Sequence, residues 1–289
     1  MTVFYVYDVF TNIAFGGNQL AVIPDASALN EADLQRITTE FNFSETTFVY
    51  PAKDPTNTAC VRIFTRAGEI PFAGHPTIGT AIALSDLGAA DTMMLELGIG
   101  PIPCNITKGA PKSAACTTTT PLEQFNTVPV DLIAKCLSVP QNAIVTKNHA
   151  PQNASVGRSF VMIELTSLDM LAQASPVTDA FQNARETHGS PENRFSTYAY
   201  VKTPKGVQAR MFSPLTNTPE DPATGSAAAA LGAYLSAING QAQELEITQG
   251  IEMGRPSQIF VSTTMKGGQP ASVTVRGSAV KTMQGRFSF

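Results

Sequence analysis

The sequence predicts an α+β protein made of two similar domains, each a barrel-like sheet curled around a central buried helix. Two observations predict this architecture: a pair of motifs recurs once along the chain, and each copy leads into an apolar helix pattern without a polar face. A helix that is apolar almost all round has to be buried. Short alternating or β-branched runs between the motifs predict the strands of the surrounding sheets.

The repeat combines a strand end with a helix start. The strand end occurs as Arg62-Ile-Phe-Thr65 and again, 148 residues later, as Arg210-Met-Phe-Ser213. The helix start occurs as His75-Pro-Thr-Ile-Gly-Thr-Ala81 and again, 146 residues later, as Asp221-Pro-Ala-Thr-Gly-Ser-Ala227. Two matches in the same order at nearly one offset indicate duplication of a single plan. The repeat therefore predicts two domains.

We place the first domain at 1–120 and the second at 121–277, with a tail, 278–289, that returns to the first. The strand candidates also match across the repeat. Leu20–Pro24 corresponds to Phe160–Leu165, and Thr46–Tyr50 to Thr197–Val201.

Each copy of the repeat predicts one buried helix that begins at a proline, which is favoured in the first turn. The first is expected over Pro76–Leu87 with a stop at Gly88, and the second over Pro222–Ile238 with a stop near Gly240. Glycine is the preferred residue just past a helix end. A separate amphipathic helix is predicted over Glu31–Glu40.

The composition excludes several functional classes. The net charge of −4 and pI near 5.4 lack the basic surface that nucleic-acid binding needs. No signal peptide is recognised, and the longest apolar run, Ala227–Ile238, is too short to span a membrane. The four cysteines lack C-x-x-C spacing and the three histidines lie far apart, so we expect reduced thiols and no metal site. These features favour a cytoplasmic protein without membrane contact.

The two helix starts predict an anion site. The first N–H groups of a helix lack internal partners and carry the positive end of its dipole. If both starts face one cleft, they would stabilise a carboxylate or an enolate-like charge. The first turns also carry hydroxyl groups, on Thr77, Thr80, Thr224 and Ser226. Both His75 and Asp221 are expected at the N-cap position of their helices. The simpler alternative is that Asp221 is only an N-cap and that His75 is only a buried core histidine.

Glu45 is the candidate proton-transfer group. On a strand it would share an inward face with Phe41, Phe43 and Val49, and burial among apolar groups tunes a carboxyl towards acid–base work. An exposed edge-strand glutamate is the alternative. Asn18 follows two glycines that suit a tight turn close to another group, although ordinary turn chemistry explains this motif equally well.

Five motifs resemble the PhzF family, the phenazine-biosynthesis-like isomerases, and they cover nearly the whole chain in family order. They are Phe15-Gly-Gly-Asn18, Asn42-Phe-Ser-Glu-Thr-Thr-Phe48, Gly68-Glu-Ile-Pro-Phe-Ala-Gly-His-Pro-Thr77, Glu220-Asp-Pro-Ala-Thr-Gly-Ser-Ala227 and Gln249-Gly-Ile-Glu-Met-Gly-Arg-Pro-Ser257.

The resemblance implies a diaminopimelate-epimerase-like fold, a homodimer, and isomerisation of a small anionic substrate without cofactor or metal. The reaction of the family's namesake is isomerisation of a dihydro-hydroxyanthranilate. The residue matching Glu45 would shuttle the proton, with His75 and Asp221 assisting. Substrate-binding roles are expected for Asn18, Gly74, Thr77, Gly225 and Ser226.

Two other functions remain open at this point. An amino-acid epimerase would need a second base, and His75 and Asp221 form an unmatched pair in place of two thiols. A non-catalytic member would bind a metabolite or a protein, but a binding module has no need to keep Glu45, His75 and Asp221 together.

Overall fold

The computed structural model describes residues 2–216 and 218–289. The chain forms two compact units. The first contains Met1–Thr118, Arg255–Gln258 and Thr274–Phe289, and the second contains Thr119–Gly254 and Ile259–Val273. The C-terminal strand thus returns to the first unit, where it pairs with the first strand of the chain.

The first 118 residues contain eight strands and two helices. In chain order they are β1 (Val3–Val9), β2 (Asn18–Ile23), α1 (Glu31–Phe41), β3 (Glu45–Tyr50), β4 (Ala59–Thr65), β5 (Gly68–Ile70), α2 (Gly74–Asp86), β6 (Thr92–Leu97), β7 (Gly100–Thr107) and β8 (Ser113–Thr118).

The remaining elements are β9 (Glu123–Thr127), α3 (Val130–Leu137), a 3-10 turn (Gln141–Ala143), β10 (Gln152–Ser155), β11 (Ser159–Glu164), α4 (Leu168–Gln173), α5 (Thr178–His188), β12 (Thr197–Thr203), β13 (Gly206–Phe212), β14 (Glu220–Asp221), α6 (Gly225–Asn239), β15 (Glu244–Gln249), β16 (Ser257–Lys266) and β17 (Gln269–Arg286).

A closed barrel of eight strands surrounds α2 in the first unit. The pairings run β1–β2–β3–β4–β6–β7–β8–β17 and return to β1. Helix α2 contacts β1, β2, β3, β7 and β8, and eleven of its thirteen residues are buried. The prediction of a helix wrapped by sheet is confirmed, because a helix with no polar face can only be stable in such surroundings.

The second unit follows the same strand plan. In the first unit the direction alternates from pair to pair: β1–β2 is antiparallel, β2–β3 parallel, β3–β4 antiparallel and β4–β6 parallel. The second unit repeats this order in the pairs β10–β11, β11–β12, β12–β13 and β13–β15. Helix α6 contacts β10, β11 and β15 and occupies the position that α2 has in the first unit. The strand correspondences expected from the sequence, β2 with β11 and β3 with β12, are confirmed.

The repeated arginine explains why the R-φ-F motif recurs. The guanidinium of Arg62 lies over the Phe64 ring at 5.1 Å, and that of Arg210 lies over Phe212 at 4.7 Å. Side chains two residues apart on a strand share one face, which allows this stacking. Each arginine also pairs with a glutamate on the following short strand, Glu69 on β5 or Glu220 on β14.

Outside each sheet, helices cover a second apolar layer. In the first unit α1 packs on the outer face of β2, β3 and β4, and the buried cluster there contains Ile23, Ala26, Leu34, Ile37, Phe48 and Phe64. In the second unit α3, α4 and α5 cover β11, β12 and β13 around Phe181, Phe195 and Phe212.

Helix α2 begins at Gly74, two residues before the predicted start at Pro76, and its N-cap is Ala73. The backbone N–H and the hydroxyl of Thr77 both donate to the Ala73 carbonyl, at 3.3 and 2.7 Å, and so close the first turn early. The prediction that His75 occupies the N-cap is therefore wrong. His75 lies inside the first turn.

Helix α6 begins at Gly225, three residues after Pro222, and its N-cap is Thr224. Asp221 is not the N-cap that we expected, because it belongs to the short strand β14 and pairs with Met211. The chain between Asp221 and Thr224 stays non-helical because its backbone hydrogen-bonds to a buried side chain described below.

The predicted helix ends agree more closely with the structure. Helix α2 ends at Asp86, and Gly88 follows with a positive φ of 99°. Helix α6 ends at Asn239 with Gly240 in the left-handed conformation, φ 68°, as glycine C-caps require. All four cysteines are free thiols, and of these only Cys60 is half-buried rather than buried.

Two helix glycines allow the close approach of helix and barrel wall. A Cβ on Gly79 would lie 2.6 Å from a Leu20 methyl and 2.7 Å from a Val9 methyl, and one on Gly232 would lie 2.6 Å from a Val261 methyl. We expect Gly79→Ala to lower the free energy of unfolding by about 1–3 kcal/mol through overpacking. Urea unfolding measures this, and a gain of about 1 kcal/mol, as helix propensity alone predicts, would contradict it.

Candidate active site

The first unit places Glu45 beside His75. Glu45 opens β3, His75 lies in the first turn of α2, and Glu45 Oε2 is 3.5 Å from His75 Nδ1. Thr47, two residues along the same face of β3, accepts a 2.9 Å hydrogen bond from Thr80 of α2. The alternation of β3 therefore turns Glu45 towards α2.

Burial around this pair is high, with the side chains of Glu45 and His75 only 12% and 5% exposed. The two phenylalanines that we expected beside Glu45, Phe41 and Phe43, do not lie on its strand. Phe41 ends α1 and stacks with Phe43 at 5.7 Å, and it also packs against Phe4, so these rings form a separate layer beside α1. Of the three residues expected to share a face with Glu45, only Val49 belongs to β3.

The imidazole of His75 is neutral at pH 7. Burial lowers its pKa from 6.5 to about 3, and a hydrogen bond with the Gln19 backbone opposes this shift. Within the described residues, Nε2 of His75 is buried and has no hydrogen-bond partner. Buried polar atoms without partners are rare in native proteins, and a catalytic role is one explanation for them. His75 can therefore exchange a proton or a hydrogen bond with a bound group, but it does not supply a fixed positive charge.

The low pKa of His75 makes stability depend on pH. Between pH 6.5 and about 3 the unfolded chain holds a proton on this residue that the folded chain lacks. The free energy of unfolding therefore falls as the pH falls through that window, by roughly 1 kcal/mol per pH unit from this group. Urea unfolding of wild type and His75→Gln from pH 7 to pH 4 should show a shallower decline in the variant. Parallel curves would contradict the burial of a neutral imidazole.

Asn18 begins β2 and pairs with Val9 of β1. Its side chain is 2% exposed, and its Oδ1 accepts a 3.3 Å hydrogen bond from the Ser44 hydroxyl, one residue before Glu45. Gly17 before it has φ 62°, and a Cβ there would collide with the Val9 carbonyl oxygen. The turn expected from the two glycines is thus a close backbone approach that brings Asn18 to the same end of the sheet as Glu45.

An arginine that the sequence did not single out holds this turn in place. Arg255 donates to Asp8 Oδ1 at 2.7 Å and to the carbonyls of Gly16 and Gly17 at 2.6 and 2.8 Å. The other oxygen of Asp8 accepts the Phe15 N–H at 2.6 Å. Asp8 is 3% exposed, so this is a buried ion pair. Arg255 belongs to the Gly-Arg-Pro-Ser motif, but nothing in the sequence indicates its partners.

Gly74 and Thr77 lie at the start of α2, as the resemblance suggested. Gly74 is the first helical residue, where its N–H is free of intrahelical bonding. The Thr77 hydroxyl donates to Ala73, so towards a bound group it can act only as an acceptor.

The second unit holds Asp221, Gly225 and Ser226. Asp221 is 7% exposed and ends β14, Gly225 opens α6, and Ser226 is half-buried in its first turn. Oδ2 of Asp221 accepts a 2.6 Å hydrogen bond from Thr224. The second unit therefore joins a carboxylate to the N-terminus of a buried helix.

Gln249, at the end of β15, was not predicted to matter. It contacts both Asp221 and Thr224, and its side chain is completely buried together with that of Tyr198. The only available signal was that Gln249 opens one of the motifs quoted above.

The other two histidines have different partners. His149 stacks on Tyr200 and hydrogen-bonds to its hydroxyl at 2.7 Å, and His188 is at the end of α5. Across residues 2–216 and 218–289, no three His, Cys, Asp or Glu side chains form a group that could hold a metal ion. In the same residues, no helix is long and apolar enough to cross a membrane.

A family model described as phenazine biosynthesis-like protein, PhzC-PhzF, matches residues 7–285. An uncharacterized isomerase of Mesorhizobium japonicum is 36% identical over 98% of both chains. Trans-2,3-dihydro-3-hydroxyanthranilate isomerase of Pseudomonas aeruginosa is 33% identical over 98% of both chains.

The solved structure of a PhzF-family protein of Bacillus anthracis has a TM-score of 0.89, at 24% identity, over 100% of this chain and 99% of that one. This likeness concerns the fold, and it confirms the diaminopimelate-epimerase-like class that we expected. With the family model and the sequence relatives, it leads to one conclusion: the chain belongs to the PhzC-PhzF family of phenazine biosynthesis-like proteins.

Proposed function

We propose that the protein is a cofactor-independent isomerase that moves a proton between two carbon atoms of a small substrate bearing a carboxylate. Membership of a family whose relatives are named isomerases supports the reaction class. The observation that carries the mechanism is the pairing of Glu45 with a neutral, buried His75 at 3.5 Å.

In the proposed reaction the Glu45 carboxylate removes a proton from a carbon next to an unsaturated or carbonyl-conjugated carbon. The electron pair left by the broken C–H bond delocalises into the unsaturated system. The same carboxyl group, whose proton exchanges with water, then delivers a proton to a second carbon, so no proton or electron is gained or lost overall. A positioned carboxylate suits this task because it can both take a proton from carbon and give one back.

His75 is proposed to hold the substrate through its buried imidazole. Because the imidazole is neutral, it can accept or donate a hydrogen bond to the substrate without adding a positive charge to the site. Asn18, Gly74 and Thr77 are proposed as further contacts from the first unit. Asp221, Gly225 and Ser226 are also proposed as substrate-binding residues, because the first N–H groups of α6 favour an anion.

Trans-2,3-dihydro-3-hydroxyanthranilate is the first substrate to test, because relatives at 31–33% identity are named for its isomerisation. Wild-type protein should be incubated with it and with a panel of cyclic and unsaturated carboxylates, and isomer formation followed by proton NMR. We expect one compound or more to isomerise without added metal or cofactor. If calorimetry showed that a compound of the panel binds but NMR showed that none is isomerised, a binding protein would be favoured. Inversion at a single stereocentre would favour an epimerase.

A further inference from the structure

The side chain of Gln249 uses its full hydrogen-bonding capacity. Its Nε2 donates to the Asp221 carbonyl at 2.7 Å and to the Thr224 hydroxyl at 3.1 Å. Its Oε1 accepts from the Thr224 N–H at 3.2 Å and from the Tyr198 hydroxyl at 3.1 Å. A primary amide has two N–H donors and two acceptor lone pairs. All four are therefore engaged, on three residues distant in sequence.

These bonds fix the direction of the Thr224 hydroxyl. The amide NH₂ group of Gln249 can only donate, so the Thr224 oxygen has to accept from it. The single proton of that hydroxyl is then left for Asp221, whose Oδ2 lies 2.6 Å away. Gln249 thereby ensures that the Thr224 hydroxyl donates to Oδ2 of Asp221.

The same side chain also holds the backbone on both sides of Pro222. One bond reaches the carbonyl of Asp221 and another the N–H of Thr224, the N-cap of α6. The chain between them is held in a non-helical conformation, which is why α6 begins at Gly225. The first free N–H groups of α6 are placed by the same contacts.

The hydroxyl of Tyr198 donates one of the four hydrogen bonds, to Oε1 of Gln249. Burial raises the pKa of this hydroxyl, and the nearby Asp221 carboxylate raises it further, so the hydroxyl remains a donor. Tyr198 and Gln249 are completely buried and Asp221 and Thr224 are each 7% exposed. A break in such a network is costly, because each group left without a partner is cut off from water.

We infer that Gln249 is a positioning residue for the reaction, which sets the orientation of Asp221 and of the start of α6 through its four hydrogen bonds. This inference rests on the proposed function, in which Asp221 and α6 hold the substrate. Gln249 acts through these groups and is not itself placed on the substrate.

Gln249→Met removes all four bonds at similar volume and should lower kcat about 100-fold, the cost of misplacing a binding group by about 1 Å. Thr224→Val should lower kcat by a comparable factor, and Thr224→Ser, which restores the hydroxyl, should recover most of the loss. The double variant Gln249→Met/Thr224→Val should lose little more than either single variant, because both act through one hydroxyl.

Ser236→Ala is the matched control for stability. Ser236 is buried in the second half of α6, where it hydrogen-bonds to Thr263 at 2.6 Å, so its loss also breaks a buried hydrogen bond. We expect it to lower the melting temperature without changing kcat. If Gln249→Met also keeps the wild-type kcat per folded molecule, Gln249 is only structural and the inference is wrong.

Crystal structures of wild type and Gln249→Met separate this inference from the proposed function. We expect a rotated Asp221 side chain or a moved start of α6 in the variant, whether or not a substrate has been found. An unchanged Asp221 and α6 start would overturn the inference. Absence of turnover by wild type on every compound would instead count against the proposed function.

Discussion

Glu45→Gln should lower the rate of isomerisation by about 10²–10⁴-fold, the usual contribution of a positioned general acid–base group. The amide keeps the size of the side chain beside His75 and can still hydrogen-bond, but it cannot take a proton from carbon. Because substrate contacts are retained, we expect KM to change much less than kcat. Initial rates at saturating substrate, followed by NMR, measure the effect.

Glu186→Gln is the matched control for this variant, because it makes the same chemical change at an exposed position on α5. It should leave kcat and KM unchanged. Glu45→Asp, which keeps the carboxylate but draws it back by one methylene from His75, should fall between wild type and Glu45→Gln. Wild-type kcat in Glu45→Gln would remove Glu45 from the mechanism.

Arg255→Ala should lower the free energy of unfolding by about 3–5 kcal/mol, because it leaves the carboxylate of Asp8 buried without its cation. Asp8 is 3% exposed, and without Arg255 it keeps the Phe15 N–H as a hydrogen-bond donor. The carbonyls of Gly16 and Gly17 lose their donor in the same change. Urea unfolding with linear extrapolation provides the measurement.

Arg36→Ala is the comparison for Arg255→Ala, since Arg36 is 81% exposed and pairs with Asp33 at a similar distance, 3.0 Å. An exposed pair of this kind contributes at most about 1 kcal/mol. Adding Asp8→Asn to Arg255→Ala should recover part of the lost stability, because it removes the unpaired charge. Equal costs for Arg255→Ala and Arg36→Ala would show that burial of the Asp8 pair has no energetic consequence.

The repeat made much of the fold predictable from the sequence. Arg62 and Arg210 recur because each guanidinium stacks on the phenylalanine two residues later and pairs with a glutamate on the next strand. Such local contacts leave a short sequence signature. The two apolar helices were predictable for a similar reason, since a helix with no polar face has to lie inside a sheet.

The start of α6 could not be predicted, because a long-range contact decides it. Proline predicts a start at Pro222, but Gln249, 25 residues beyond Thr224 in sequence, holds the preceding segment out of the helix. The contact between Arg255 and Asp8 spans 247 residues and leaves no pattern in a single sequence. Glu45 became a candidate because we expected it on the inward face of a strand, although of the three apolar neighbours expected there only Val49 lies on β3. Its approach to His75 depends on how α2 packs inside the barrel.

The most direct test of the proposed proton transfer is the position of deuterium in the product. Wild type and Glu45→Gln would be run side by side in heavy water with the substrate found in the panel, and the product analysed by proton NMR. We predict that wild type incorporates deuterium at the carbon that receives the proton, and that Glu45→Gln forms almost no labelled product. Product that forms at equal rates in both proteins would contradict proton transfer by Glu45.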